Sequence, residues 1–380
     1  MRVVAVAAVA AAALGVLVAV VTSGSSGSSS HRRTLATALR SQTGRTGQPA
    51  ATNRSGRSSS DLARLVGQLI VGRYSGSEPS AAFLARVRAG HLGAVILFAD
   101  NTAGGLAATR QAIARLQAAA RAGGNPPLLI MTDQEGGEVR RLPGPPQLAP
   151  ADMGSTAVAK AQGAAAGNLL RSAGIDVDLA PVADVERVPN FLGPRSFGPD
   201  PGVVARRACA FARGLQAAGV AYTLKHFPGL GRATRDTDLQ KVTIDAPAAQ
   251  LRDDYVAYRA CGSSPDALIM VSSAAYPSLS GPAPAVTSRR VYAHELPLAL
   301  HQPGHLTISD ALDTPALGGQ PKPALHAIDA GLDLGLFPGN ERESAQAYKR
   351  LLAAARRGAL PESRLRSAVF AVEALKRRLG

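Results

Sequence analysis

The sequence Lys225-His226-Phe227-Pro228-Gly229-Leu230-Gly231 follows directly on a short apolar run at residues 220–224. The proline fixes its own φ angle, and the two glycines can adopt backbone angles that other residues avoid. The stretch therefore predicts a strand that ends in a lysine and a histidine and then turns sharply. A second polar cluster, Arg235-Asp236-Thr237-Asp238, follows closely, so this part of the chain brings several polar groups toward one place.

Similar apolar runs, rich in Val, Ile and Leu, recur along the chain and are separated by stretches with helical spacing. Runs that rarely alternate with polar residues are typical of parallel strands buried on both faces. Eight such runs predict an α/β fold, a (β/α)8 TIM barrel forming a single catalytic domain, in preference to an open doubly wound sheet. The predicted strands are residues 69–71, 94–98, 128–131, 177–182, 220–224, 267–271, 306–308 and 332–336, and helices are predicted at residues 106–120, 203–217 and 248–260.

The N-terminal region has the composition of an export segment and a linker. Residues 3–21 are apolar throughout, without a charge or a proline, so residues 1–23 are predicted to be a signal peptide or a membrane anchor. Residues 24–60 are rich in Ser, Gly, Thr and Arg and predict a disordered tether. The barrel is predicted to occupy residues 61–380. We therefore expect an exported protein, either extracellular or tethered to the cell membrane.

The formal net charge of +15 is concentrated near this tether, where six arginines and no acid lie between residues 31 and 57. Such a segment suits contact with an anionic cell envelope. No zinc-finger spacing, basic zipper or interleaved aromatic platform accompanies it, which argues against a nucleic-acid partner.

Two cysteines, Cys209 and Cys261, are too few for a disulfide framework. The favoured interpretation is two unpaired, buried small side chains. The alternative is a single disulfide, which would need an oxidising compartment.

Polar residues follow four of the predicted strands, where a barrel collects its chemistry. Thr132-Asp133-Gln134-Glu135 follows one strand, Asp184 another, and Lys225-His226 and Ser309-Asp310 two more. Carboxylates in a cleft with hydrogen-bonding cations and a histidine suit sugar hydroxyls and glycoside hydrolysis. No metal-ligand spacing and no Gly-x-Ser-x-Gly elbow occurs, so neither a metal nor a cofactor is expected.

Seven segments follow one another in order between about residue 65 and residue 380. They are Gly93-Ala94-Val95-Ile96-Leu97-Phe98 with Asn101, Thr132-Asp133-Gln134-Glu135-Gly136-Gly137 with Arg141, Leu179-Ala180-Pro181-Val182-Ala183-Asp184-Val185, Gly193-Pro194-Arg195-Ser196-Phe197-Gly198, Lys225-His226-Phe227-Pro228-Gly229, Ser309-Asp310-Ala311-Leu312-Asp313 and Ala327-Ile328-Asp329-Ala330-Gly331-Leu332-Asp333. Together they resemble glycoside hydrolase family 3 and, within it, the single-barrel bacterial β-N-acetylhexosaminidases. The resemblance implies a TIM barrel and a retaining, exo-acting β-glycoside hydrolase. Its carbohydrate substrate would carry a terminal β-linked N-acetylglucosamine of cell-wall or peptidoglycan-derived glycans.

The same resemblance implies roles for single residues. Asp310 matches the family's nucleophile, which would form a covalent glycosyl-enzyme, and a nearby cation such as Lys225 would keep the pKa of its carboxyl low. An alternative for Arg195 is a buried ion pair with Asp184. The residues that match sugar-holding positions are Asp133, Arg141, Arg195, Lys225 and His226.

One departure concerns proton transfer. In the hexosaminidases an Asp-Ser-His sequence supplies a histidine as general acid/base, but this chain has Asp236-Thr237-Asp238 there, and Leu230 replaces another histidine of the family motif. Three interpretations stay open. Asp238 or Asp236 serves as the acid/base, because neighbouring carboxylates raise each other's pKa. Another loop supplies the group. Or the protein is a non-catalytic glycan-binding or scaffolding protein on the same fold.

Overall fold

The computed structural model of the chain describes residues 54–189, 191–301, 305–318, 320 and 322–380. The first helix, α1 (Arg54–Gln68), begins inside the predicted tether and earlier than the predicted domain start at residue 61. The predicted signal peptide or anchor and the tether up to residue 53 lie outside the described residues. Within the described ranges, no helix combines the length and the apolar character needed to cross a bilayer.

Eight parallel strands form one sheet in the order β10-β1-β2-β3-β6-β7-β8-β9. A parallel bridge between Ile308 and Leu334 joins the two ends of this order and closes the sheet into a barrel. The predicted TIM barrel is confirmed. The strands are β1 (Ile70–Gly72), β2 (Ala94–Leu97), β3 (Leu129–Thr132), β4 (Gln134–Gly136), β5 (Val139–Arg140), β6 (Val177–Asp178), β7 (Ala221–Phe227), β8 (Ala267–Val271), β9 (Leu306–Ser309) and β10 (Gly335–Leu336), of which β4 and β5 form a separate hairpin.

Each predicted apolar run overlaps a barrel strand, but three strands differ clearly in length from the prediction. Of the run predicted at residues 332–336, only Gly335–Leu336 forms strand β10. Strand β7 continues to Phe227 instead of ending at residue 224, so Lys225 and His226 lie within it. Its register with β8 shifts between Leu224 and Phe227, and Lys225 forms a parallel bridge with Val182. Strand β6 is shorter than the predicted run at 177–182. After β6 the chain keeps separate backbone contacts with both neighbouring strands, such as the hydrogen bonds from the N–H of Leu179 to Thr132 and from the N–H of Thr223 to Ala180. This apolar run is therefore buried without forming a continuous ladder.

Helices surround the barrel, and α5 packs against α6 at very short distance. A Cβ atom added at Gly163 would lie 2.2 Å from the carbonyl oxygen of Phe211, and one at Gly214 would lie 2.3 Å from that of Lys160. Only glycine permits this approach. The predicted helix at 248–260 is interrupted by a 3₁₀ turn, Asp253–Tyr255. The remaining α-helices are α2 (Ala81–Arg88), α3 (Ala99–Thr102), α4 (Gly105–Ala122), α5 (Thr156–Ala173), α6 (Pro201–Ala217), α7 (Ala248–Arg252), α8 (Val256–Cys261), α9 (Pro277–Ser280), α10 (Leu296–Leu300), α11 (Pro323–Ala330), α12 (Glu341–Arg356) and α13 (Glu362–Leu379).

The last helix closes one end of the barrel. Val372 and Leu375 of α13 belong to the apolar cluster that fills the barrel interior. The ammonium group of Lys376 donates to the side chain of Gln68, which lies just before β1. The N-terminal ends of the strands are therefore covered, and the C-terminal ends carry the loops that hold the polar residues.

Cys209 of α6 and Cys261 at the end of α8 form a disulfide, with their Cα atoms 5.7 Å apart. The favoured interpretation of two unpaired cysteines is therefore wrong, and the alternative is correct. The two cysteines lie 52 residues apart in the sequence, and this spacing does not indicate that they pair. The two cysteines meet because α6 and α8 pack side by side on the outside of the barrel.

Candidate active site

One pocket at the C-terminal ends of the strands contains every predicted site residue. Asp133 directly follows β3, and Asp310 directly follows β9. The remaining residues come from β7, from the hairpin and from the loops after β6 and β7. The predicted residues that line the pocket are Asp133, Arg141, Arg195, Lys225, His226, Asp236, Asp238 and Asp310.

Five charged side chains of this pocket form what we call the ion-pair cluster. The ammonium Nζ of Lys225 lies 2.8 Å from Asp133 Oδ1 and 2.6 Å from Glu135 Oε1. Arg195 donates through Nε and Nη2 to the two oxygens of Glu135, both at 2.8 Å. Arg141 Nη2 lies 3.6 Å from Asp133 Oδ2. Positive and negative groups thus alternate along the cluster.

These ion pairs decide the protonation of the buried members. Burial alone would raise the pKa of Glu135, but Lys225 and Arg195 outweigh it and hold that pKa well below its usual range. Burial alone would lower the pKa of Lys225, and Asp133 and Glu135 outweigh it and raise that pKa. Both groups are therefore charged near neutral pH.

This arrangement rules out the alternative ion pair given for Arg195 and shows which partners Lys225 has. Arg195 forms its ion pair with Glu135 and not with Asp184, since its Nε and Nη2 reach the two oxygens of Glu135. Lys225 was expected to act on Asp310, but its two ion pairs are made with Asp133 and Glu135. The sequence prediction also missed Glu135 as a site residue. Side chains two apart in an extended segment share a face, so the spacing of Asp133 and Glu135 was the available signal.

Asp184 instead fixes the histidine and the loop that follows it. Its carboxylate lies 2.7 Å from His226 Nδ1 and accepts hydrogen bonds from the backbone N–H groups of His226 and Leu230. The acceptor places the ring proton on Nδ1, which leaves Nε2 of His226 for a ligand. The side chain of Leu230, where the family has a histidine, lines the same pocket.

The glycines after His226 let the loop approach the chain that follows β6. A Cβ atom at Gly231 would lie 1.6 Å from the carbonyl oxygen of Val185, and the N–H of Arg187 donates to the carbonyl of Gly231. Gly229 has a φ of 130°, which only glycine adopts easily. The close approach at Gly231 and the positive φ of Gly229 therefore fix the backbone conformation of the loop after His226.

The three carboxylates Asp236, Asp238 and Asp310 form what we call the acidic cluster. The backbone N–H of Asp310 donates to the carbonyl of Val271 at 3.0 Å, and its Oδ1 accepts from the N–H of Ala311 at 2.9 Å. These contacts attach Asp310 to the rigid end of β8 and β9. Its carboxyl is half-buried and faces the pocket.

The loop that carries the other two carboxylates is held by its own turn and by Thr314. Asp236 Oδ1 accepts from the N–H of Asp238 at 2.8 Å, and the hydroxyl of Thr314 donates to the carbonyl of Thr237 at 2.8 Å. Asp236 is thus engaged in the local turn, whereas no hydrogen bond of the described residues involves the Asp238 carboxyl in the same way.

Asp238 has the chemistry that proton transfer needs. Desolvation by the surrounding pocket raises the pKa of Asp238 to about 7, and the negative charges of Asp310 and Asp236 add to the rise against the opposing effect of His226 and Arg195. The residue lies at the pocket mouth and is exposed, so water there weakens both the effect of desolvation and the repulsion between the carboxylates. A carboxyl with this pKa can donate a proton near neutral pH and take one back.

A parallel barrel with carboxylates, arginines, a lysine and a histidine in one pocket at the C-terminal strand ends defines a TIM-barrel enzyme. Within the described ranges, no group of three or more His, Cys, Asp or Glu side chains has the arrangement of a metal site. The fold and the site together therefore define the class of protein, a TIM-barrel enzyme.

The model of the glycosyl hydrolase family 3 N-terminal domain matches residues 62–375. The chain belongs to this family, and the resemblance predicted from its motifs is confirmed. An uncharacterized secreted glycosyl hydrolase of Arthroderma benhamiae is 34% identical over 334 residues, which cover 84% of this chain and 94% of that protein. A β-hexosaminidase of Mycobacterium tuberculosis is 32% identical over 67% of this chain and 70% of its own length.

A solved structure shows the same fold at similar identity. A family 3 β-N-acetylglucosaminidase from Paenibacillus is 31% identical, with a TM-score of 0.79 over 84% of this chain. The match covers 62% of the Paenibacillus chain, so this chain spans less than two thirds of that protein's length.

Proposed function

We propose that this protein is a retaining, exo-acting β-glycoside hydrolase that works through a covalent glycosyl-Asp310 intermediate, with Asp238 as the general acid/base. The observation that carries the proposal is the pairing of two carboxyl groups in one pocket. Asp310 is fixed between β8 and β9, and the pKa of Asp238 is raised to about 7. One group can attack while the other donates a proton.

The proposed reaction has two steps. In the first, an Asp310 oxygen bonds to the anomeric carbon, the glycosidic C–O bond breaks, and the proton of the Asp238 carboxyl goes to the leaving oxygen. In the second, Asp238 as carboxylate takes a proton from water, the water oxygen bonds to the anomeric carbon, and the ester to Asp310 breaks. The sugar leaves with its β configuration, and both carboxyl groups return to their starting states.

Asp238 is a better candidate for the acid/base than Asp236. The Asp236 carboxylate accepts a hydrogen bond from the N–H of Asp238 and is therefore engaged in the turn itself. We assign Asp236 the role of supporting Asp238, both by shaping the turn and by contributing to its raised pKa.

The ion-pair cluster and His226 would hold the sugar, as the family resemblance implies for Asp133, Arg141, Arg195 and Lys225. We propose N-acetylglucosamine as the sugar, because the Mycobacterium tuberculosis relative is named a β-hexosaminidase and the Paenibacillus structure a β-N-acetylglucosaminidase. N-acetylglucosamine is a repeating unit of peptidoglycan, so cell-wall fragments are the proposed source.

We propose that the protein acts outside the cytoplasm. The apolar segment at residues 3–21 supports export, and so does the relative described as secreted. The Cys209–Cys261 disulfide adds a third reason, since such bonds persist in oxidising compartments. The arginines of the tether would then contact the anionic envelope.

A second candidate function is glycan binding without catalysis. The observation that favours it is the replacement of the family's acid/base histidine by Asp238, while the ion-pair cluster that would hold a sugar is complete. In this alternative the pocket would retain a β-linked sugar and release it unchanged.

A mechanism-based fluorosugar of the N-acetylglucosamine series, followed by mass spectrometry of the intact protein, separates the two candidates. We expect one sugar added per protein molecule and located on a peptide that contains Asp310. The absence of an adduct, together with no turnover of aryl β-glycosides, would leave the binding function. Aryl β-glucosides assayed in parallel identify the preferred sugar.

A further inference from the structure

We propose that Glu135, which no family resemblance assigned a role, is a positioning residue that aims Lys225 and Arg195 at the sugar. It would do so without touching the sugar itself. This inference rests on the proposed sugar pocket, and it concerns how that pocket obtains its affinity.

The contacts of Glu135 support an internal role. Its side chain has no exposed surface, and both of its oxygens are engaged by Arg195 at 2.8 Å, while Oε1 also lies 2.6 Å from Lys225 Nζ. A carboxylate with these partners has little remaining capacity to accept from a ligand. Its two cations, by contrast, both line the pocket.

Glu135 engages some of the N–H donors of Lys225 and Arg195 and leaves the others for a ligand. Of the three N–H groups of a lysine ammonium, Lys225 gives one to Glu135 and one to Asp133, so one remains for a ligand. Arg195 gives two of its five N–H groups, Nε–H and one Nη2–H, to Glu135, so among the contacts of the described residues the second Nη2–H and the Nη1 group remain for a ligand. Glu135 thus selects which donors of both cations are presented.

Asp133 shows the complementary arrangement. Its Oδ1 accepts from Lys225, but its Oδ2 is 3.6 Å from Arg141, beyond a hydrogen bond. Asp133 therefore keeps an acceptor for a sugar hydroxyl, whereas Glu135 does not. Of the two carboxylates in the ion-pair cluster, one contacts the sugar and the other sets the direction of its neighbours.

The test compares Glu135→Gln with the matched control Glu138→Gln, an exposed residue in the turn of the same hairpin. The glutamine amide has one acceptor and one donor end, so it cannot hold both cations. We expect the dissociation constant of N-acetylglucosamine, measured by calorimetry, to rise about 10- to 100-fold, since small displacements of binding groups cost this much. The control should bind as the wild type does.

Two further measurements separate positioning from a general loss of structure. KM for an aryl N-acetylglucosaminide should rise more than kcat falls, because a sugar-holding cation binds ground state and transition state alike. The Glu135→Gln/Arg195→Lys double variant should bind little more weakly than Glu135→Gln alone, because Glu135 acts through Arg195. Additive losses, or unchanged affinity with a lowered melting temperature, would overturn the proposal.

Glu135→Asp covers the case in which the glutamine variant does not fold. It keeps the charge but withdraws the carboxylate by one methylene, so an intermediate loss of affinity is expected, and wild-type affinity would contradict the proposal. Because binding is measured without turnover, a wild-type protein that binds the sugar but does not hydrolyse glycosides would refute the proposed catalysis alone. A wild type that binds no β-linked monosaccharide would refute the sugar pocket and the role of Glu135 with it.

Discussion

The ion-pair cluster and the acidic cluster face the same pocket but are built differently. In the ion-pair cluster, Lys225 and Glu135 are buried and every charge has an opposite charge nearby. In the acidic cluster, Asp236, Asp238 and Asp310 are like charges, and Asp238 is exposed on a loop. Paired charges fix geometry and protonation, whereas repelling carboxylates keep one proton exchangeable. The first arrangement suits holding a ligand, and the second suits moving a proton.

The two clusters also differ in how closely their residues match those of the family. The ion-pair cluster consists of residues within the family's motifs. The acidic cluster contains the replacement at Asp238. A carboxyl stands where the family has an imidazole, and desolvation, with smaller contributions from Asp310 and Asp236, raises its pKa into the range in which an imidazole titrates.

The largest effect is expected from removing the attacking carboxylate. Asp310→Asn should lower kcat/KM by about 10⁴-fold or more, because the covalent step loses its nucleophile. Asp313→Asn is the matched control, since Asp313 follows in the same loop, accepts from the N–H of Gly339 and does not line the pocket. Steady-state kinetics on an aryl glycoside measure both. Near-equal activity of the two variants would exclude Asp310 as nucleophile.

A large but substrate-dependent effect is expected at Asp238. Asp238→Ala should reduce the rate on glycosides with poor leaving groups by about 10²- to 10⁴-fold, because these need a proton from the acid. Activated aryl glycosides should lose much less in their glycosylation step. Rates across a series of leaving groups measure the difference. Equal losses along the series would show that Asp238 does not donate the proton.

A smaller effect is expected in the pH profile of kcat/KM. The acid must be protonated, so activity on poor leaving groups should fall as pH rises through the pKa of Asp238, near 7. Asp236→Asn keeps the acceptor for the N–H of Asp238 but removes a negative charge, which lowers the pKa of Asp238. The descending limb should move to lower pH, while Asp245→Asn, on the exposed part of the same loop, should leave it in place. A shift to higher pH would contradict the account.

The smallest effect on activity, and a separate effect on stability, is expected at Asp178. Burial raises the pKa of Asp178 to about 8 against the lowering effects of the Gln134 N–H and of Lys225, and Asp133 and Glu135 add smaller contributions to the rise. Between about pH 4 and 8 the unfolded chain releases this proton and the folded protein keeps it, so the free energy of unfolding falls as pH rises. In Asp178→Asn this contribution disappears, and the variant should gain stability relative to the wild type from pH 5 to pH 7.5.

Urea unfolding at the two pH values measures this gain, which cannot exceed about 1.4 kcal/mol per pH unit for one proton. Asp152→Asn, at an exposed position, should keep the wild-type pH dependence. An unchanged slope in Asp178→Asn would show that Asp178 is ionised in the folded protein.

Much of the fold was predictable from the sequence, because parallel strands that are buried on both faces consist of nearly uninterrupted apolar runs. The extension of β7 through Lys225 and His226 was not predictable, because polar side chains at the C-terminal end of a barrel strand resemble the start of a loop in the sequence. The disulfide was missed because the contact between α6 and α8 arises only when the helices pack on the barrel.

The site was predictable to the extent that its residues follow strand ends in motif order. All eight predicted residues line the pocket, but their partners differ from expectation. Arg195 binds Glu135, and Asp184 binds His226. Ion-pair partners depend on distances of a few ångströms between separate loops, and one sequence does not contain them. The raised pKa of Asp238 likewise depends on Asp310, which lies far away in the chain.

Chemical rescue of Asp238→Ala tests most directly whether Asp238 and Asp310 share the two proposed roles. With an activated aryl N-acetylglucosaminide, this variant should accumulate glycosyl-Asp310, because no base remains to activate water. Added azide needs no base and should restore turnover, and its attack on the intermediate should give a glycosyl azide of β configuration. Failure of azide to raise the rate, or an azide product of α configuration, would contradict the account.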